Sequence, residues 1–174
     1  MRLGLAANRL HHATEDAALF RWLRACGQGI RELGLELHAV GRTHDAIVAA
    51  GMLAGHAGLK RYPYGREGGL MKLVAEVVGL EGDARTLDGA IYLIDPVDPS
   101  SVFPEAVALK RQCVIHGKPF ISTVASARDW IENERIHAGL APDPGADRFH
   151  ALESQTLALI AHDAMKPQML AFAA

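Results

Sequence analysis

The chain has 174 residues, 49% of them apolar and 22% charged, with a formal net charge of -2. That is enough material for one ordinary domain and part of another, and it excludes a disordered polar chain. Charges of both signs are mixed along the sequence, which excludes an extended nucleic-acid surface, so any anion binding has to be local. The two cysteines, Cys26 and Cys113, fall in apolar helical stretches without the spacing of a disulfide framework or a zinc site. They read as buried thiols in a reducing compartment. No stretch approaches the roughly 20 apolar residues that span a bilayer. The opening MRLGLAANRLHH lacks a signal-peptide core. A cytoplasmic protein with neither nucleic acid nor membrane as partner is expected.

Short apolar runs alternate with segments of helical period. Leu3 to Ala7 reads as a strand, and Thr14-Glu15-Asp16 offers a cap and first-turn acids for a helix carrying Leu19, Leu23, Cys26, Ile30 and Leu33. LELHAV forms a second strand ending at Gly41, with THDAIVAAGML as the next helix. LKRYPY is a third strand; it feeds GREGG and then the helix LMKLVAEVV. DGAIYLID is a continuous buried strand closing on Asp95, and Pro104-Glu105 opens the helix after it. GKPFISTV is the fifth strand, and Ser126 to His137 forms an amphipathic helix around Trp130 and Ile131. Such alternation with short connections predicts a parallel sheet covered on both faces.

From Gly139 to about Ala151 the sequence is rich in proline, glycine and acids and has no sustained period, which reads as a linker. A further apolar stretch begins at Leu157, runs into His162-Asp163 and Lys166, and continues with a helical pattern. It has the form in which an α/β domain opens.

Ligands of parallel sheets bind beyond the carboxyl ends of the strands. Five stretches should meet there: Asn8-Arg9 with His11-His12, Gly41-Arg42-Thr43-His44, Gly65 to Gly69, Asp95 to Asp98, and Ser122-Thr123. Glycines allow close backbone approach, while helix-start amides, threonine hydroxyls and arginines suit a phosphate or carboxylate. Arg42 or Arg66 alone would be an ordinary surface residue; together these stretches point to a small-anion site. Asp95, at a strand end before a proline, either points into the crevice or caps the following turn. His38, His56, His116 and His137 have no metal-ligand spacing.

The order of these motifs resembles the methylglyoxal synthase family, from Leu3 to about Ile131. HAVGRTHDAI is similar to its G-T-T-G turn and YGREGGLMKL to its S-G-P-x-G-G-D-Q loop. IYLIDPVDPSSVFPEAVALKR is similar to its W-D-P-L stretch, and KPFISTVASARDWI to its closing strand and helix. The resemblance implies a flavodoxin-like three-layer sandwich around a five-stranded parallel sheet, usually in a homohexamer. It also implies conversion of dihydroxyacetone phosphate to methylglyoxal and phosphate, with no metal or organic cofactor. Thr43 and Gly65, with Arg42 and Arg66 beside them, then fall at phosphate-binding positions. Asp95 and Glu105 stand where the family has active-site acids.

Other positions depart from the family. Its catalytic base is replaced by Leu70 and its active-site histidine by Val102. The opening A-H-D-x-x-K is represented only by Ala7-Asn8-Arg9 and His12. An aliphatic side chain moves no proton, so residues 1–138 read as a degenerate, non-catalytic copy. The closing stretch carries the intact pattern: Ala161-His162-Asp163 with Lys166, whose family counterparts contact substrate. Residues 139–156 are then a linker and residues 157–174 the opening strand and helix of a second copy. Alternatively, the tail adds to a sheet edge and completes a composite crevice. For the whole protein the readings are a methylglyoxal synthase and a purely effector-binding module of the same fold.

Overall fold

The structure, a computed structural model, describes residues 1–80, 82, 86–143 and 158–173. The chain divides into two units, Met1–Asp143 and Pro144–Ala174.

In the first unit, β1 (Arg2–Ala7) is buried over its four middle residues. It pairs in parallel with β2 (Glu36–Ala39) on one side and β4 (Gly89–Leu93) on the other. β3 (Leu59–Arg61) extends the sheet beyond β2, and β5 (Phe120–Ile121) extends it beyond β4. The order β3-β2-β1-β4-β5 reverses direction between β1 and β4. In flavodoxin itself the order is 2-1-3-4-5, so the reversal lies at a different pair. Successive side chains alternate between faces: Leu3, Leu5, Ile91 and Leu93 enter one core, and Ala6, Ala90 and Tyr92 the other. Because helices cover both faces, the buried run of residues 3–6 in β1 and the whole of β4 are apolar.

The helices α1 (Ala18–Glu32) and α5 (Val124–His137) pack together on the first core through Leu19, Trp22, Ile30, Ala127 and Ile131. Ile47 of α2 (Gly41–Ala49) joins them. On the other face α3 (Gly69–Val78) and α4 (Pro104–Ile115) contribute Leu73, Val77, Ala106, Leu109 and Cys113. The five-stranded parallel α/β fold is the one expected. Both thiols are buried, and burial pushes Cys26 up to about 12 and Cys113 up to about 11.

Some boundaries differ from the sequence reading. Thr14-Glu15-Asp16 does not cap α1: the chain first makes a 3-10 turn at Arg9–His12, and the helix starts after Ala17 without a side-chain cap. The Thr14 carbonyl accepts the Ala17 N–H at 3.0 Å, which puts these acids in a turn ahead of the helix. α2 starts two residues early because the Gly41 N–H bonds to the Pro63 carbonyl at 3.0 Å, with Val40 at the cap position. The outer strands β3 and β5 are short. Each pairs along one side only; Pro119 directly precedes β5 and Pro63 lies two residues beyond β3, and neither has an N–H for the ladder.

In the second unit, residues 158–162 have neither helical nor strand structure, so the strand expected there is not formed. Ile160 in this stretch is 93% exposed. A 3-10 turn at Asp163–Met165 then leads into α6 (Lys166–Ala173), where a helix was expected. The expected linker lies outside the described residues from 144 to 156. Among the described residues, no helix is long and apolar enough to cross a membrane.

Candidate functional site

A cleft of about 810 Å³ opens at the carboxyl ends of β1 to β4, where the strand order reverses. Its position follows from topology: parallel strands deliver their outgoing loops to one edge, and the loops diverge where the order turns.

At the exit of β1, Asn8 is buried and its side chain ties two loops together. Nδ2 donates to Ser100 Oγ at 2.8 Å and to Asp98 Oδ2 at 3.4 Å. Oδ1 accepts from Ser101 Oγ at 3.1 Å and the Asp95 N–H at 3.5 Å. Arg9 follows and lines the cleft. His11 bonds the Ile94 carbonyl at 2.7 Å. Burial holds the His12 imidazole below its ordinary range, and Arg42 and Arg9 push it the same way.

Gly41, Arg42 and Thr43 form the first turn of α2, leaving the amides of Arg42 and Thr43 without intrahelical acceptors. Thr43 is buried, and its hydroxyl accepts the Ala7 N–H at 3.0 Å, joining β1 to α2 on the cleft floor. From β3 come Tyr64, Gly65 and Arg66. The Tyr64 hydroxyl donates to Asp45 Oδ2 at 2.8 Å, and Arg61 grips the same carboxylate at 2.8 and 3.0 Å while lying over the Tyr64 ring. These bonds, from Arg61 first and then Tyr64, hold the Asp45 carboxyl well below the usual carboxylate range. Gly68 and Gly69 are needed for different reasons. Gly68 has φ +90°, while a Cβ on Gly69 would lie 2.1 Å from the Pro63 carbonyl oxygen.

The fourth wall comes from the loop after β4 and the start of α4. Asp95 is buried and is not part of the cleft lining; its Oδ1 accepts the Val97 N–H at 3.1 Å and closes the turn. Asp98 faces the cleft and accepts the Ser100 N–H at 2.8 Å. Hydrogen bonds from Ser100 and then Asn8 hold its carboxyl below the ordinary value. Phe103 and Glu105 complete the lining, together with Leu70 of α3. Val102 is 70% exposed.

Of the residues proposed from sequence, Arg42, Thr43, Gly65, Arg66 and Glu105 therefore share one cleft with Arg9, whereas Asp95 stands behind it. Ser122-Thr123 does not join them: the Thr123 hydroxyl accepts the Ser126 N–H at 3.1 Å and caps α5. His162, Asp163 and Lys166 belong to the second unit, where Lys166 Nζ pairs with Asp163 Oδ1 at 2.5 Å and both are exposed. No local pattern marked Tyr64, Asp45 and Tyr92, because separate segments of the fold bring them to the cleft.

Arg9, Arg42 and Arg66 form no ion pair among the described residues, and Glu105 has no hydrogen-bonding partner there. With Asp45 satisfied by Arg61, the cleft offers free guanidinium groups along β1 to β3 and carboxylates along β4 and α4. This arrangement can hold an anion at one side and hydroxyl or ammonium donors at the other. Among the described residues no group of three or more metal-ligating side chains is assembled.

The site and sheet define a three-layer α/β domain with an anion-suited cleft at its topological switch point. The fold is similar to that of methylglyoxal synthase from Elizabethkingia anophelis, with a TM-score of 0.58 over 91% of this chain and 93% of that one. At 18% identity this likeness is one of fold. No protein-family model matches the sequence. No curated protein matches it either.

Proposed function

We propose that residues 1–143 form a methylglyoxal-synthase-like module that binds a small phosphorylated or anionic ligand and does not catalyse the family reaction. The reading is supported by the fold likeness and by the unpaired arginines of the cleft. One observation carries it: Leu70 lines the cleft where the resemblance puts the catalytic base. Formation of an enediolate from dihydroxyacetone phosphate requires a group that accepts a carbon-bound proton, and Leu70 has none. Asp95 is engaged in a turn, which leaves Glu105 as the cleft carboxylate without a partner. In this module Glu105 accepts hydrogen bonds from the ligand.

The test is phosphate release from dihydroxyacetone phosphate by the full chain, alongside calorimetric titration with inorganic phosphate. Anion binding without turnover is the expected result. Turnover abolished by Glu105→Gln or Asp95→Asn overturns the non-catalytic reading, and absence of any anion binding overturns the ligand reading.

The tail supports a second part of the proposal. His162, Asp163 and Lys166 keep the A-H-D-x-x-K spacing of the family's opening, and a helix runs from Lys166 to Ala173. We assign residues 157–174 to the opening of a second copy that carries the lyase chemistry in a homo-oligomeric protein. A coding sequence that continues past residue 174 without G-G-D and D-P motifs would remove this assignment.

A further inference from the structure

Arg9, Arg42 and Arg66, which form no ion pair among the described residues, follow consecutive strands. Arg66 follows β3, Arg42 follows β2 and Arg9 follows β1, and the sheet order places these strands side by side. Neighbouring strands lie about 4.8 Å apart, so the three strand ends that lead to these arginines span roughly 10 Å. A single phosphate presents three oxygens within a far smaller radius and is satisfied by one bidentate guanidinium with helix-start amides. A three-carbon monophosphate would leave most of the row unused. At about 810 Å³ the cleft also lies toward the upper end of the roughly 300–1,000 Å³ typical of sites that enclose much larger ligands.

We infer that the cleft takes an extended bis-anion, with an anionic group at each end of a hydroxyl-bearing carbon chain of sugar-bisphosphate size. One anion sits at Arg66 beside the first turn of α2, and the other at Arg9. Arg42, in the first turn of the helix that follows the strand between them, serves the central region. Glu105, on the opposite wall, accepts hydrogen bonds from the chain's hydroxyls, which anions alone would not provide. Tyr64 and Phe103 supply apolar surface for the carbon backbone. Tyr64 is held in place by Asp45 and Arg61, so this wall is organised before the ligand arrives. The inference rests on the anion-binding reading above and specifies the ligand of that same site.

Calorimetric titration of the full chain with inorganic phosphate, fructose 6-phosphate and fructose 1,6-bisphosphate, at one fixed salt concentration, tests it. The bisphosphate should bind at least about tenfold more tightly than the monophosphate, the difference expected of one additional charge-assisted contact. Arg9→Gln and Arg66→Gln should each bring the bisphosphate down to the affinity of the monophosphate. Arg21→Gln, on the exposed face of α1, should leave it unchanged. Equal affinity for the monophosphate and bisphosphate overturns the bis-anion inference and leaves the anion site standing. Failure of all three probes to bind overturns both.

Discussion

Asn8 Nδ2 donates to Ser100 Oγ at 2.8 Å, so a buried amide at the end of β1 fixes the loop that follows β4. The same side chain reaches Asp98 and Ser101. The side chain is a clasp across the switch point of the sheet.

Asn8→Ala removes that clasp and leaves buried partners without a hydrogen bond. A loss of about 1–3 kcal/mol is expected, read as a lower urea midpoint with little change in the slope. Amide hydrogen exchange should rise in residues 95–102. Unchanged exchange there would show that the loop is held by other contacts.

Gly69→Ala should destabilise the protein by about 1–3 kcal/mol, because the new methyl would lie 2.1 Å from the Pro63 carbonyl oxygen. The conflict is with backbone and cannot be relieved by a rotamer change. Thermal denaturation measures it, and a melting temperature equal to that of the parent protein refutes the close approach.

Folding stability should fall as the pH drops below about 6.5. His38 lies between β1 and β3, with Glu36, Arg2, Tyr62 and Glu76 around it, and its Nδ1 is buried without a partner. Burial lowers its pKa from the ordinary 6.5, although Glu36 pulls the other way. The unfolded chain therefore takes up a proton at a pH where the folded one does not. Stability contributed by the neutral ring is present above 6.5 and lost as pH falls through the folded value. Glu36, held low mainly by its bond from His38, adds a separate loss below its ordinary 4.5. Urea denaturation from pH 7.5 to 5.5 should show the slope, and His38→Gln should reduce it, leaving the part that His12 contributes in the same window.

Cys26 and Cys113 should resist alkylation by iodoacetamide at pH 8, since burial pushes them up to about 12 and about 11 and little thiolate exists. Both should label within the same time in 6 M urea, a concentration chosen to unfold the chain. Rapid labelling of either thiol in buffer would contradict its buried position.

The strands and helices were readable in sequence because burial on both faces makes central strands such as Gly89–Leu93 continuously apolar, while Leu19, Leu23, Cys26 and Ile30 mark the inner stripe of α1. Most of the site was readable for a topological reason: residues after parallel strands must meet at one edge, which is why Arg42, Thr43, Gly65 and Arg66 line a single cleft. The direction of a side chain within a loop was not readable. Asp95 and Asp98 lie in the same short loop, yet the first turns inward to bond the Val97 amide and the second faces the cleft. Sequence alone determined the alternating fold, the aliphatic residue at position 70 and the Ala161-His162-Asp163 and Lys166 spacing of the tail. Tertiary structure decided the strand order, the gathering of Arg9, Arg42 and Arg66 in one cleft and the use of Asn8 as a clasp, because each depends on contacts between residues tens of positions apart that no local pattern encodes.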